Sequence, residues 1–136
     1  MNDVYWAVYL PVFLQMMESL RAGPVEDAAR NGISIQKTGN VAIIPIKGGI
    51  VKNRHWRLTS AREGQAAVNA AKVDPDIEKI LLWFDTPGGS VDGIGEFGEA
   101  IKAAAKEKEV IAQVDGMCAS AGLWLASHVA PGVIRE

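Results

Sequence analysis

Cysteine is almost absent from this chain, and so is any excess of charge. The single cysteine, Cys118, excludes an intrachain disulfide and any zinc site assembled from several cysteines. The chain therefore suits a reducing compartment and does not require an oxidising one. Fourteen Lys and Arg face 16 Asp and Glu, a formal net charge of -2, with no basic stripe, which argues against a nucleic-acid partner. No long apolar run stands out either. Residues 4–14 are almost wholly apolar and aromatic, but Pro11 interrupts them, and a membrane-spanning helix needs roughly 20 residues. Asp3 precedes this run and the first basic residue is Arg21, so the basic start of a secretory signal is missing. Residues 4–14 read as a helix that docks on a core or on another subunit. These features point to a cytoplasmic protein and away from membrane association.

What is present is the material of a globular fold. Hydrophobic residues make up 49% and charged residues 22% of 136 positions, one domain's worth with room for a sizeable core. The pattern divides it into an N-terminal helix and connector, residues 1–39, and a regular unit, residues 40–136. Residues 21–40 are polar and carry Gly23, Pro24, Gly32 and Gly39, as a connector does. Residues 41–46 are a β-branched run and predict a strand; Pro45 cannot donate to a ladder, so that end is expected at an edge. Residues 51–58 form a basic, aromatic loop. Residues 60–71 predict a helix, opened by a capping box of Ser60 and Glu63. Residues 80–84 are continuously apolar, the pattern of a strand buried on both faces. Val91, Ile94, Phe97 and Ile101 recur at helical spacing. Residues 110–114 predict a third strand, Asp115-Gly116 a turn, and residues 119–127 a third helix. Strands alternating with helices predict an α/β fold with a largely parallel sheet.

Two turns in this pattern carry chemistry. Ligand sites in such sheets gather at the carboxyl ends of the strands. Asp85-Thr86-Pro87-Gly88-Gly89-Ser90 follows one strand, and its paired glycines let backbone amides approach a ligand closely. Facing a carbonyl, such amides form an oxyanion hole. Ala119-Ser120-Ala121-Gly122 follows the next strand and opens a helix. Taken alone, each has an ordinary structural explanation: Pro-Gly-Gly is a common turn, and serine a common helix N-cap. Their succession, with one helix and one strand between them, is the informative feature.

That succession resembles the ClpP/crotonase superfamily. The match runs from about residue 40 to 128 and resembles most the signal-peptide-peptidase-A (SppA) type of serine peptidase, especially its phage prohead and capsid-assembly relatives. It is carried by Val41-Ala42-Ile43-Ile44-Pro45-Ile46-Lys47-Gly48, by Asp74-Pro75-Asp76-Ile77 leading to Asp85-Thr86-Pro87-Gly88-Gly89-Ser90-Val91, and by Ala119-Ser120-Ala121-Gly122-Leu123-Trp124-Leu125-Ala126-Ser127. Trp6-Ala7-Val8 also resembles the phage group, less specifically. Asp85 favours this type over ClpP itself, which typically has asparagine there. Crotonase-type acyl-CoA enzymes use similar turns and usually lack a serine at the position of Ser120.

The resemblance implies a Ser/Lys serine endopeptidase acting on a polypeptide, in a homo-oligomer, with no cofactor and no metal. Ser120 would be the nucleophile. Gly89 and Ala121 would supply oxyanion-hole amides, with Gly88 shaping that turn, and Ser90-Val91 would pair with an extended substrate. Cys118 reads as a small buried hydrophobe, and His128, two helical turns past Ser120, as a helix C-terminal residue rather than a base. The family's base is a lysine well downstream of the serine; no lysine follows Lys108 here. The chain is therefore expected to be a truncated peptidase domain. Two alternatives are a non-catalytic remnant that keeps the fold for assembly, and a crotonase-like acyl-CoA enzyme.

Overall fold

The β-branched and aromatic runs assemble into one main sheet, and the helices bury their apolar stripes against a single face of it. The computed structural model describes residues 6–7, 33–55, 58–129 and 134–135. The main sheet has the order β2 (Gln36–Thr38), β3 (Val41–Lys47), β6 (Lys79–Thr86), β8 (Glu109–Cys118) and β9 (Ile134–Arg135). Strands β3, β6, β8 and β9 are parallel, and β2 turns back antiparallel onto β3. A second sheet of short strands stands at the carboxyl end of the first. Its order is β1 (Trp6–Ala7), β7 (Gly89–Ser90), β4 (Ile50–Val51) and β5 (Thr59–Ser60). Among the described residues no helix is long and apolar enough to cross a membrane.

The helices are α1 (Ala61–Val73), α2 (Ile94–Glu107) and α3 (Ala121–Ala126). Ala42, Ile44 and Ile46 alternate inward along β3, as do Ile80, Leu82 and Phe84 along β6. Val68 and Ala71 of α1 and Phe97, Ile101 and Ala104 of α2 complete that core. Gly64 decides how closely the helices approach: a Cβ there would lie 2.4 Å from the Phe97 ring, so only a bare backbone lets the ring rest on α1. Phe97 is fully buried, a contribution of about 1.5–3 kcal/mol.

The α/β class, the parallel sheet and the element order agree with the sequence, and several local expectations need correction. Trp6–Ala7, inside the stretch read as a helix, are a strand, because the open edge of β7 offers them backbone partners; the remainder of residues 4–14 lies outside the described residues. The connector read over residues 21–40 contains β2, and its portion before residue 33 lies outside them too. Residues 80–84 are not buried on both faces. Leu81 and Trp83 are half-buried, since the helices pack on the opposite face. Trp83 instead donates its indole N–H to Asp115 at 3.3 Å and lies under the Lys47 ammonium, 3.4 Å from the ring centre.

The capping box forms by half. Ser60 Oγ accepts the Glu63 N–H at 3.2 Å, while the Glu63 carboxylate turns to the Ile33 N–H and to Arg54. Val91 precedes α2, which starts only after Gly93 at φ 79. Asp115-Gly116 is a bulge within a continuing strand rather than a turn that ends it. Pro45 behaves as expected: it pairs with Trp83 on β6, while β2 reaches no further along β3 than Ile43, so its missing donor faces an unpaired side.

Candidate active site

Both marked turns arise where parallel strands end. Strands β6 and β8 run in register to Phe84 and Val114, then shift so that Thr86 pairs with Cys118. Gly116, at φ 110, supplies the kink. A side chain there would strike the Asp85 carboxylate at 2.6 Å, and that carboxylate accepts the Met117 N–H at 3.1 Å. Asp85 thus pins the bulge that leads into Ser120.

Thr86 is fully buried and ties three segments together. Its hydroxyl donates to the Gly48 carbonyl at 2.6 Å and accepts the Gly88 N–H at 3.1 Å. Its own carbonyl accepts the Ala119 N–H at 3.1 Å. Its methyl group fills the space above Gly122, where a Cβ would lie 2.4 Å away. The glycine turn and the serine turn are therefore neighbours, joined through one threonine. Thr86→Val keeps the volume and removes the hydroxyl. The buried Gly88 N–H then loses its acceptor, and the expected loss is about 1–3 kcal/mol in urea unfolding. A variant as stable as the parent would mean that the turn does not depend on this bond.

Ser120 itself is exposed and sits between β8 and α3 with φ 52 and ψ -120. It is the one non-glycine residue at positive φ among the described residues. That conformation is sterically costly for a residue with a Cβ, of the order of 1–3 kcal/mol, and survives only where the surroundings enforce it. A serine held on a strained strand-to-helix turn projects its hydroxyl outward. Ser120 is not acting as an ordinary N-cap, for its side chain accepts no hydrogen bond from the helix. Ala121, buried beside it, opens α3, so its amide belongs to the first turn, whose N–H groups have no intrahelical acceptor.

Gly88, at φ 99, holds the turn that the sequence assigned to it, but its N–H is already engaged by Thr86. Its carbonyl accepts the Ile50 N–H at 2.9 Å. Successive residues of a strand aim their backbone groups at opposite edges. Since Gly88 faces β4, Gly89 presents its N–H and carbonyl to the other edge, where Ala7 lies opposite. Ser90 is buried and Val91 exposed. Val91, Ile94, Gly95, Ser120, Ala121 and Trp124 line one cavity of about 480 Å³, so the serine opens onto an apolar pocket.

The histidine and cysteine take other roles. His128 Nδ1 lies 2.8 Å from the Trp124 carbonyl and its ring stacks edge-on to the Trp124 indole. Burial pushes the Cys118 thiol up, which disfavours the nucleophilic thiolate. Lys108 binds the Ala71 and Asp74 carbonyls at 2.8 and 2.6 Å, closing the end of α1. Among the described residues no side chain hydrogen-bonds the Ser120 hydroxyl, and no group of three or more His, Cys, Asp or Glu is placed to hold a metal ion. Sequence reasoning overlooked Thr86 and the anchoring bond of Asp85. Threonine inside a β-run reads as strand propensity, and its role depends on segments 38 residues apart.

Comparison with known proteins places this arrangement among relatives. The chain is 34% identical over 116 residues to capsid assembly protease C of Escherichia phage lambda, a match that covers 82% of this chain and 26% of that protein. It is 30% identical over 91 residues to protease 4 of Salmonella typhi, covering 65% of this chain and 15% of that protein. The chain thus spans about a quarter or less of the length of these relatives. No family model matches it. Among solved structures it superposes on an enoyl-CoA hydratase from a Polaromonas species, with TM-score 0.58 and 22% identity over 74% of this chain and 46% of that one. A putative enoyl-CoA hydratase/isomerase family protein from Hyphomonas neptunium gives TM-score 0.54 and 18% identity over 79% and 47%. At such identities the likeness is one of fold, the ClpP/crotonase fold.

Proposed function

We propose, from the premise that the chain belongs to the SppA-type and phage capsid-assembly protease family, that residues 40–136 carry the nucleophile and oxyanion site of a serine endopeptidase. The observation that carries this reading is the backbone of Ser120: a strained, exposed serine that lines one cavity with Val91, the residue that follows β7. In the proposed reaction Ser120 Oγ attacks the peptide carbonyl carbon and loses its proton to a base. The carbonyl oxygen, now negative, takes hydrogen bonds from the amides of Gly89 and Ala121. The C–N bond then breaks, the amine leaves with a proton, and water releases the acyl group from Ser120. An extended substrate would pair along Gly89, Ser90 and Val91, with an apolar side chain in the pocket beside Val91 and Trp124. The substrate would be a flexible polypeptide, a capsid or scaffold protein being one consistent with the phage relative's name. A homo-oligomer and a cytoplasmic setting are part of the same proposal, as is a separate role for residues 1–39.

One observation favours a second reading, a non-catalytic member that keeps the fold for assembly. The Ser120 hydroxyl lacks a partner among the described residues, so no base is seen to act on it. The experiment that separates the two is covalent labelling of the chain with a fluorophosphonate. The peptidase reading expects a single adduct on the peptide bearing Ser120, absent in Ser120→Ala. A silent Ser120, or an adduct on another residue, would reject it. Stability provides a second readout. Ser120→Gly relieves the positive φ and should gain about 1 kcal/mol in urea unfolding, whereas Ser120→Ala keeps the Cβ and should not. A glycine variant no more stable than the alanine variant would show that the serine is not held under strain.

A further inference from the structure

A strand has two edges, and in this structure both edges of β7 are taken. One edge pairs with β4, through Ile50 opposite Gly89. The other pairs antiparallel with β1, Trp6 opposite Ser90 and Ala7 opposite Gly89. The second edge is the one to which Gly89 presents its N–H and carbonyl, as argued above from the Gly88 to Ile50 bond. An extended polypeptide that pairs with Gly89 and Ser90 has no other backbone to bind. Spreading β4 away instead would break the 2.9 Å bond from the Ile50 N–H to the Gly88 carbonyl and would not free the edge that Gly89 faces. Substrate and β1 therefore compete for one set of hydrogen bonds.

We propose that Trp6–Ala7 are a built-in occupant of the substrate groove, bound as a substrate strand would be, and that the groove opens only when this strand leaves. The inference rests on the peptidase reading for the groove's role, while the pairing itself is independent of that reading. Its energetics suit a displaceable plug. A two-residue strand makes few ladder bonds, so a longer partner strand can win by adding bonds along Ser90 and Val91. A tethered plug also acts at high effective concentration, which free peptides must overcome. Unfolded substrate at high local density would open such a site, and dilute bystander proteins would not.

A cross-strand disulfide tests this in the full chain. Ala7 and Gly89 are the hydrogen-bonded pair, so Trp6 and Ser90 form the adjacent non-bonded pair, whose Cα atoms in antiparallel ladders lie about 4.5 Å apart. That spacing falls within the range a disulfide can bridge, about 4.4–6.8 Å. The variant is Trp6→Cys with Ser90→Cys, in a Cys118→Ser background that removes the remaining thiol. Mild oxidation should yield an intramolecular disulfide, seen by mass spectrometry in the monomer band. A fluorescein-tagged peptide carrying residues 3–9 should then bind, by anisotropy, at least tenfold more weakly to the oxidised form than to the same protein after reduction. Fluorophosphonate labelling of Ser120 should slow and recover in parallel. No disulfide, a disulfide only between two chains, or equal peptide affinity in the two redox states would each overturn the proposal. If Ser120 takes no label in either state while peptide binding follows the lock, the peptidase reading fails and the occupied groove stands.

Discussion

Gly89→Ala is expected to lose about 3 kcal/mol or more of folding stability, the upper end of what overpacking costs. A Cβ at residue 89 would lie 2.0 Å from the Ile50 carbonyl oxygen, 2.6 Å from its nitrogen and 2.8 Å from its carbonyl carbon. All three are backbone atoms of β4, so no side-chain rotation can relieve the clash. The strands must separate, which stretches the 2.9 Å bond from the Ile50 N–H to the Gly88 carbonyl. The same displacement moves the Gly89 amide, the proposed oxyanion donor. Removing one such donor costs about 10²–10³ in rate. Circular dichroism and urea unfolding measure the first effect. Fluorophosphonate labelling of whatever fraction stays folded measures the second. A stable Gly89→Ala protein that labels Ser120 at the parent rate would remove Gly89 from the site.

The second large effect concerns turnover. The chain of 136 residues, assayed alone on an unfolded protein such as casein, is expected to cleave little or nothing above its Ser120→Ala control. General-base assistance is worth about 10²–10⁴, and no base meets the Ser120 hydroxyl among the described residues. His128 is held on the Trp124 carbonyl, and Lys108 on the carbonyls that end α1. Labelling by a fluorophosphonate asks less of the site, because it is a single event and the fluoride leaves without needing a proton. Repeated peptide hydrolysis asks more, because the departing amine must also receive a proton. Labelling without turnover is thus the expected pair of results. Robust casein cleavage that disappears in Ser120→Ala would show that a base reaches Ser120 from within this chain or across a subunit contact.

Much of the fold was legible because it is local. The runs that became β3, β6 and β8 each hold a short, mostly apolar stretch, and the apolar spacing of α2 marks its buried face. Ser60 announced α1 through a cap that needs only three residues of reach. The two chemical turns were legible for a related reason: each is a short string whose glycines or small residues are required wherever such a turn occurs. Strand-face burial was misjudged at Leu81 and Trp83, because a continuous apolar run does not say how many layers cover it.

Ser120 as the candidate nucleophile came from the resemblance to SppA-type peptidases; by itself the sequence determined the main element order and the two turns at strand ends. It could do so because helical and strand periodicity, and glycine's freedom at a tight turn, are properties of neighbouring residues. The tertiary structure alone decided the rest. Ser120 takes its φ of 52 just after a bulge that Asp85 pins from another strand. Thr86 became a junction only when β6 met Gly48 and α3. Trp6–Ala7, expected to be helical, became the strand on the Gly89 edge. An unpaired strand edge is a demand for hydrogen bonds that no local propensity encodes, and the segment that meets it is chosen by the folded chain's geometry.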